Sequence, residues 1–183
     1  ELVFRQGPER QVHLLYQNDR ELIYNAGIAE RERAVLRLNA GASPHAMAVD
    51  AANGVHISAA QGDGLYYFGA VGRLAYLYSP DGLTWTTNLL GPTEVGATAI
   101  ALDSQRRPAI AFTRGFNLLY FMRLTEAGWT RPTLLRSGLG GWDRSRAVRL
   151  AFDANDVPHI AVFDHLTSRT LVAAPQPSVL PAD

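Results

Sequence analysis

The sequence predicts an all-β chain, specifically a β-propeller of four-stranded antiparallel blades, about four of them, forming either a small propeller or part of a larger one. Three observations carry this reading. The first is an echo: Ala48-Val49-Asp50 then Val55-His56-Ile57, Ala101-Leu102-Asp103 then Pro108-Ala109-Ile110, and Ala151-Phe152-Asp153 then Pro158-His159-Ile160. The aspartates lie 53 and 50 residues apart, and Leu2-Val3-Phe4 followed by Val12-His13-Leu14 is a worn earlier copy. Repetition at such a period marks stacked supersecondary units. The second is the alternation of short apolar runs with polar turn residues, which is a strand signal. Finally, runs such as Ala99-Ile100-Ala101-Leu102 and Ile160-Ala161-Val162-Phe163 are apolar on both faces and need cover from two sides. Face-to-face stacking of small sheets supplies that cover.

The units are read as residues 1–40, 41–92, 93–140 and 141–174, with a Pro-rich tail at 175–183. Unit 1 supplies strands at 3–5, 11–17, 21–26 and 34–38. A short helix over 28–38 competes for the last of these, because Glu and Arg alternate there. Unit 2 supplies 45–49, 55–60, 74–79 and 83–90; unit 3 supplies 96–102, 108–113, 118–123 and 129–135. Unit 4 supplies 147–152, 158–163 and 170–174, where a fourth strand dissolves into Pro175-Gln176-Pro177. The strands of each unit are lettered A to D.

Composition excludes several functions. Arg equals Asp plus Glu at 17 each, so no strong field recommends nucleic acid or an anionic membrane as partner. Every Lys/Arg position is arginine, which excludes a Schiff-base or phosphate-loop lysine. Absence of cysteine excludes disulfides, thiol nucleophiles and thiolate metal sites. No apolar stretch approaches the roughly 18 residues of a membrane helix, so no membrane insertion is expected. Residues 1 to 20 have no signal-peptide layout, and the chain opens inside what reads as a repeat.

Ser79-Pro80-Asp81-Gly82-Leu83-Thr84-Trp85 resembles the Asp-box (BNR-type) hairpin of sialidase-like bacterial propeller repeats. Asp81 is expected to accept turn amides, Gly82 to adopt a left-handed backbone, and Trp85 to plug the seam between neighbouring sheets. Thr125-Glu126-Ala127-Gly128-Trp129 keeps the glycine and tryptophan, and 153–161 also resembles such repeats, so the likeness covers nearly the whole chain. It implies a propeller, an exported bacterial protein in an extracellular or periplasmic location, and an Asp box that is structural and lies away from the active face. It also raises a sialidase-like glycoside hydrolase, or a fragment of one, as an alternative. That chemistry needs an arginine triad, a tyrosine nucleophile with a glutamate, and an acid aspartate. Glu94 and Glu126 are the only glutamates beyond residue 32, and neither falls in a B–C loop. Phe4-Arg5-Gln6-Gly7-Pro8 resembles the family's Phe-Arg-x-Pro motif with one residue added. No catalytic residue is therefore assigned.

His13, His56 and His159 share one slot in three units. Equivalent positions on separate blades are too far apart for zinc ligand distances, so neither a metal nor a cofactor is expected. Each imidazole is expected to bond the A–B turn of its own blade, with Asp50 or Asp153 as partner. His45 and His165 fall in loops on this reading.

Function is expected where the repeat is broken. Val55 to Trp85 spans 30 residues against 21 for Pro108 to Trp129, so unit 2 has gained about nine residues between strands B and C, around Gly62 to Phe68. A second departure is Ser137 to Arg146, between units 3 and 4. B–C loops and D–A connections emerge on one side of an antiparallel blade. The candidate ligand-binding residues there are Tyr66, Tyr67, Arg114, Trp142, Asp143, Arg144, Asp164 and His165. Aromatic platforms with guanidinium forks suit sugars, whose C–H faces stack on rings while their hydroxyls meet bidentate polar groups. The expectation is a non-catalytic recognition domain for carbohydrate or a protein ligand, with a purely structural module as a further alternative. A homo-oligomer or missing blades would complete the ring.

Overall fold

The computed structural model describes residues 2–7, 11–18, 21–27, 33–37, 45–66, 69–115, 117–139, 148–164, 167 and 169–173. No helix occurs among them, and so none long and apolar enough to cross a membrane. The strands form four antiparallel meanders that follow the sequence echo. Unit 1 is β1 (Leu2–Gln6), β2 (Val12–Gln17), β3 (Glu21–Ala26) and β4 (Arg33–Arg37), paired in that order. Unit 2 is β5 (His45–Val49), β6 (Val55–Tyr66), β7 (Gly69–Ser79) and β8 (Thr86–Leu89). Unit 3 is β9 (Val95–Leu102), β10 (Pro108–Arg114), β11 (Leu118–Thr125), β12 (Gly128–Trp129) and β13 (Thr133–Arg136). Unit 4 has β14 (Val148–Phe152), β15 (Pro158–Asp164) and β16 (Arg169–Ala173). One bridge, Gly72 to Val95, fuses units 2 and 3 into a nine-stranded sheet.

Two sequence expectations are corrected here, and the helix that competed with the strand expected at 34–38 is set aside. The extra residues of unit 2 are not a loop: they lengthen the β6–β7 hairpin, whose ladder runs past a bulge to the Tyr66–Gly69 pair. Continuing the ladder satisfies backbone groups that a loop would leave to solvent. The helix over 28–38 gives way to β4, where Leu36 is buried and paired with Leu22. A run this short gains little as a helix and more by joining an existing sheet edge. His45 is not in a loop but begins β5, buried.

The recurrent aspartates are turn devices. Asp50 Oδ1 accepts the amides of Ala52 (2.7 Å) and Gly54 (2.8 Å). Asp103 Oδ1 accepts those of Gln105 (3.0 Å) and Arg107 (2.8 Å), and Asp153 Oδ1 those of Asn155 (2.8 Å) and Val157 (2.9 Å). In each turn the third residue after the aspartate is left-handed: Asn53 at φ 65°, Arg106 at 63° and Asp156 at 58°. The carboxylate stabilises a backbone that would otherwise be strained.

Consecutive units pack face to face, the forward face of one on the rear face of the next. The first seam buries Leu15, Leu22 and Tyr24 against Met47, Ile57 and Leu77; the second buries Leu74 and Tyr76 against Ile100, Ile110 and Phe112. The third buries Ala109, Ala111 and Phe121 against Val148, Ile160 and Val162. First strands lie in file, with β1 beside β5, β5 beside β9 and β9 beside β14. None of the sheets is closed, and no comparable packing joins unit 4 to unit 1 among the described residues.

A relay crosses the first two seams. His13 Nδ1 lies 2.7 Å from the Tyr24 hydroxyl, and Tyr24 meets Trp85 of unit 2 edge-on at 5.1 Å. His56 Nδ1 lies 2.8 Å from the Tyr76 hydroxyl, and Tyr76 meets Trp129 of unit 3 edge-on at 5.0 Å. The expected histidine–turn bond is direct in unit 4, where His159 Nε2 lies 3.1 Å from Asp153. In unit 2, Asp50 stands 3.7 Å from His56 Nε2, and the tyrosine is the nearer partner. The Asp81 hairpin has the expected geometry: Asp81 Oδ1 accepts the amides of Leu83 and Thr84, each at 2.8 Å, and Gly82 sits at φ 71°. Those amides, Thr84's first, hold the Asp81 carboxyl below the ordinary carboxylate range. A Cβ on Gly82 would come within 3.1 Å of the Tyr24 ring, so a larger residue here would also crowd the seam.

Burial makes the second relay pH-sensitive. Desolvation lowers the His56 pKa below its ordinary 6.5, and the attraction of Asp50 only partly offsets it. Burial also raises the Tyr76 phenol well above its ordinary value, which keeps it a hydrogen-bond donor. The neutral folded imidazole faces an unfolded one that takes up a proton near 6.5. The unfolded chain therefore binds more protons as pH falls through that value, and stability present above it is lost below it. The urea midpoint is expected to fall between pH 7.5 and 5.5, and the His56 imidazole to titrate below 6.5 by NMR. A titration midpoint above 6.5 would contradict this account of the seam.

Candidate functional site

B–C loops and D–A connections do share one side of the array. The Gly115 amide donates to the Glu94 carbonyl (2.9 Å), and the Leu139 amide to the Asn117 carbonyl (3.1 Å), so each link ties a B–C turn to a neighbouring D–A connection. The connection from unit 2 to unit 3 is pinned as well. The Leu90 amide donates to Leu74 (2.8 Å) and the Leu74 amide to Pro92 (2.9 Å).

Between this pinned segment and the rear face of unit 3 opens a cleft of about 530 Å³. One wall is Leu89, Leu90, Gly91 and Pro92; the other is Phe112, Tyr120, Met122 and Trp129, with Arg114 and Arg131 at the polar margins. It exists because the outer strand of unit 3 is interrupted. Pro132 has no amide to donate, so pairing stops after β12 and resumes only at β13. What precedes the interruption is firmly held: the Thr125 hydroxyl donates to Gly128 O (2.9 Å), the Thr130 amide donates to Arg123 O (2.9 Å), and the Arg123 amide donates to Thr130 Oγ1 (3.1 Å). Trp129 is thereby fixed with one edge on Tyr76.

The cleft is an aromatic and cationic surface. Phe112 and Tyr120 stack across neighbouring strands with centroids 5.5 Å apart and planes 14° apart. Arg114 is exposed, with its Nε 3.7 Å from Glu94 Oε2, a separation that leaves the fork available to a ligand. The exposed Arg131 is the second guanidinium. No carboxylate or imidazole is among the lining residues. Aromatic faces and guanidiniums are groups that can stack on and hydrogen-bond a ligand.

Of the residues singled out from sequence, Arg114 lines this cleft. Asp164 is buried, and its Oδ2 accepts the Thr167 hydroxyl at 2.8 Å, which commits it to its own hairpin. Tyr66 sits at the end of the lengthened hairpin, in backbone register with Gly69. Tyr67, Trp142, Asp143, Arg144 and His165 lie outside the described residues. Sequence reasoning missed Tyr120, Trp129, Phe112 and Arg131 as a group. The signal was present as Arg131-Pro132, a break inside an expected strand. Among the described residues no cluster of three or more His, Asp or Glu could hold a metal ion.

No family model and no curated protein matches the chain. Among solved structures, a fucose lectin from Kordia zhangzhouensis in complex with methyl-fucoside aligns over 94% of this chain and 96% of its own. The identity is 13% and the TM-score 0.39, a likeness too loose to carry a shared fold.

Proposed function

We propose that the four units are blades of a β-propeller acting as a non-catalytic recognition domain, and that the cleft between units 2 and 3 binds carbohydrate. Support for the blade reading comes from the successive meanders, the file of first strands and the face-to-face seams. The binding reading rests on one observation: a cleft of about 530 Å³ that combines the Tyr120 and Trp129 rings with two guanidiniums. That volume is within the range of small-ligand sites, roughly 300–1,000 Å³. A pyranose C–H face lies on an aromatic ring, while paired hydroxyls or a carboxylate engage the arginine forks. The binding energy comes from stacking and charge-assisted hydrogen bonds, with no bond broken.

A screen on immobilised neutral and uronate-containing glycans tests this. Wild-type protein is expected to be retained, and Tyr120→Ala and Arg114→Ala each to bind at least about tenfold more weakly, the loss of roughly one good contact. Arg114 is exposed, so its variant should melt almost as the wild type does, whereas Tyr120 packs on the second seam and stacks on Phe112, so its variant should melt somewhat lower yet remain folded at the temperature of the screen. Equal retention of wild type and both variants would remove the cleft from the account. Turnover of a fluorogenic sialoside would replace binding with hydrolysis.

A further inference from the structure

Two positions of the repeat record whether a unit has a neighbour. On the rear face, the first-strand residue paired opposite the second-strand Ile or Leu is Met47 in unit 2, Ile100 in unit 3 and Phe4 in unit 1. Met47 and Ile100 are 0% and 6% exposed, each beneath the preceding unit, whereas Phe4 is 53% exposed. On the forward face, the equivalent third-strand residues are Tyr24, Tyr76, Phe121 and Val172. Their exposures are 1%, 5%, 2% and 70%. Apolar side chains thus occupy both slots throughout, and they are uncovered only on the rear of unit 1 and the front of unit 4. Leu2, at 64%, is exposed beside Phe4 on the same face.

We infer that a second copy of this chain covers both faces, seating its unit 1 on the unit 4 of the first and receiving the reverse contact in return. Every seam within the chain joins a forward face to a rear face, and the two open faces are one of each kind. The contact therefore continues an existing interface instead of requiring a new one. Two such contacts related by a twofold axis close the assembly with no open seam left. The count of two rests on the blade reading: twice four units makes eight, the upper end of the usual four to eight blades. The seam contact itself stands without that reading.

Light scattering on the eluting full chain should give twice its 20.0 kDa mass. Phe4→Arg and Val172→Arg should each yield single chains with an unchanged circular dichroism spectrum, while Leu83→Arg, at an exposed position of the Asp81 hairpin outside both faces and the cleft, should leave the pair intact. Because the chain has no cysteine, single substitutions report the geometry directly. A mixture of Phe4→Cys and Val172→Cys proteins should oxidise to a disulfide between the two variants. A single-chain mass for the wild type, or a disulfide linking two Phe4→Cys chains, overturns the inference. Neither readout involves a glycan, so failure here is distinct from failure of the cleft.

Discussion

Tyr76→Ala is expected to lower the unfolding free energy by about 3–5 kcal/mol, the range for truncating a buried large aromatic side chain. Three losses coincide at this residue. Its ring is almost wholly buried in the second seam, so removal leaves a cavity that neighbouring sheets cannot close without shifting. Its edge contact with Trp129 disappears, and such pairs contribute about 0.5–1.5 kcal/mol beyond burial. His56 Nδ1 loses the hydroxyl 2.8 Å away. Urea unfolding at pH 7.5 checks the figure. A cost below about 1 kcal/mol would mean that the seam is not packed as described.

The second large effect is non-additive. His56→Ala alone should cost about 2–3 kcal/mol and Tyr76→Phe alone about 1–3 kcal/mol, because each leaves its buried partner without a hydrogen bond. Combined, the two changes should cost at least about 1 kcal/mol less than their sum, since neither orphaned group then remains. The protein already contains this pair of residues. In unit 3 the same two slots hold Ala109 and Phe121, both buried, so imidazole and hydroxyl are absent together. Additive costs in this cycle would show that His56 and Tyr76 do not stabilise one another.

Much of this architecture is legible in the sequence because its signals are local. Asp50, Asp103 and Asp153 mark the turns they cap, and Ser79 to Trp85 encodes both the hairpin and the ring that fills the seam. The tyrosines of the relay are harder to see. Tyr24 follows His13 by 11 residues, but Tyr76 follows His56 by 20, since the lengthened hairpin intervenes. A fixed-spacing reading therefore finds the histidine slot and misses its partner. The cleft is less legible still. Leu89 to Pro92 and Tyr120 are brought together by stacking of two units, and only the interruption at Pro132 hints at the space between them. Arg114 and Asp164 both stand where a strand gives way to a turn; Arg114 lines the cleft, while the Asp164 carboxylate accepts the Thr167 hydroxyl.

The most direct test of the central claim is amide and indole chemical-shift mapping with a glycan retained in the screen. Shifts should concentrate on the Trp129 indole, Tyr120, Arg114 and Arg131, with the Phe4 and Val172 faces unaffected. Shifts confined to residues 142–144 or to the end faces, with the Trp129 indole unmoved, would contradict the cleft as the binding site.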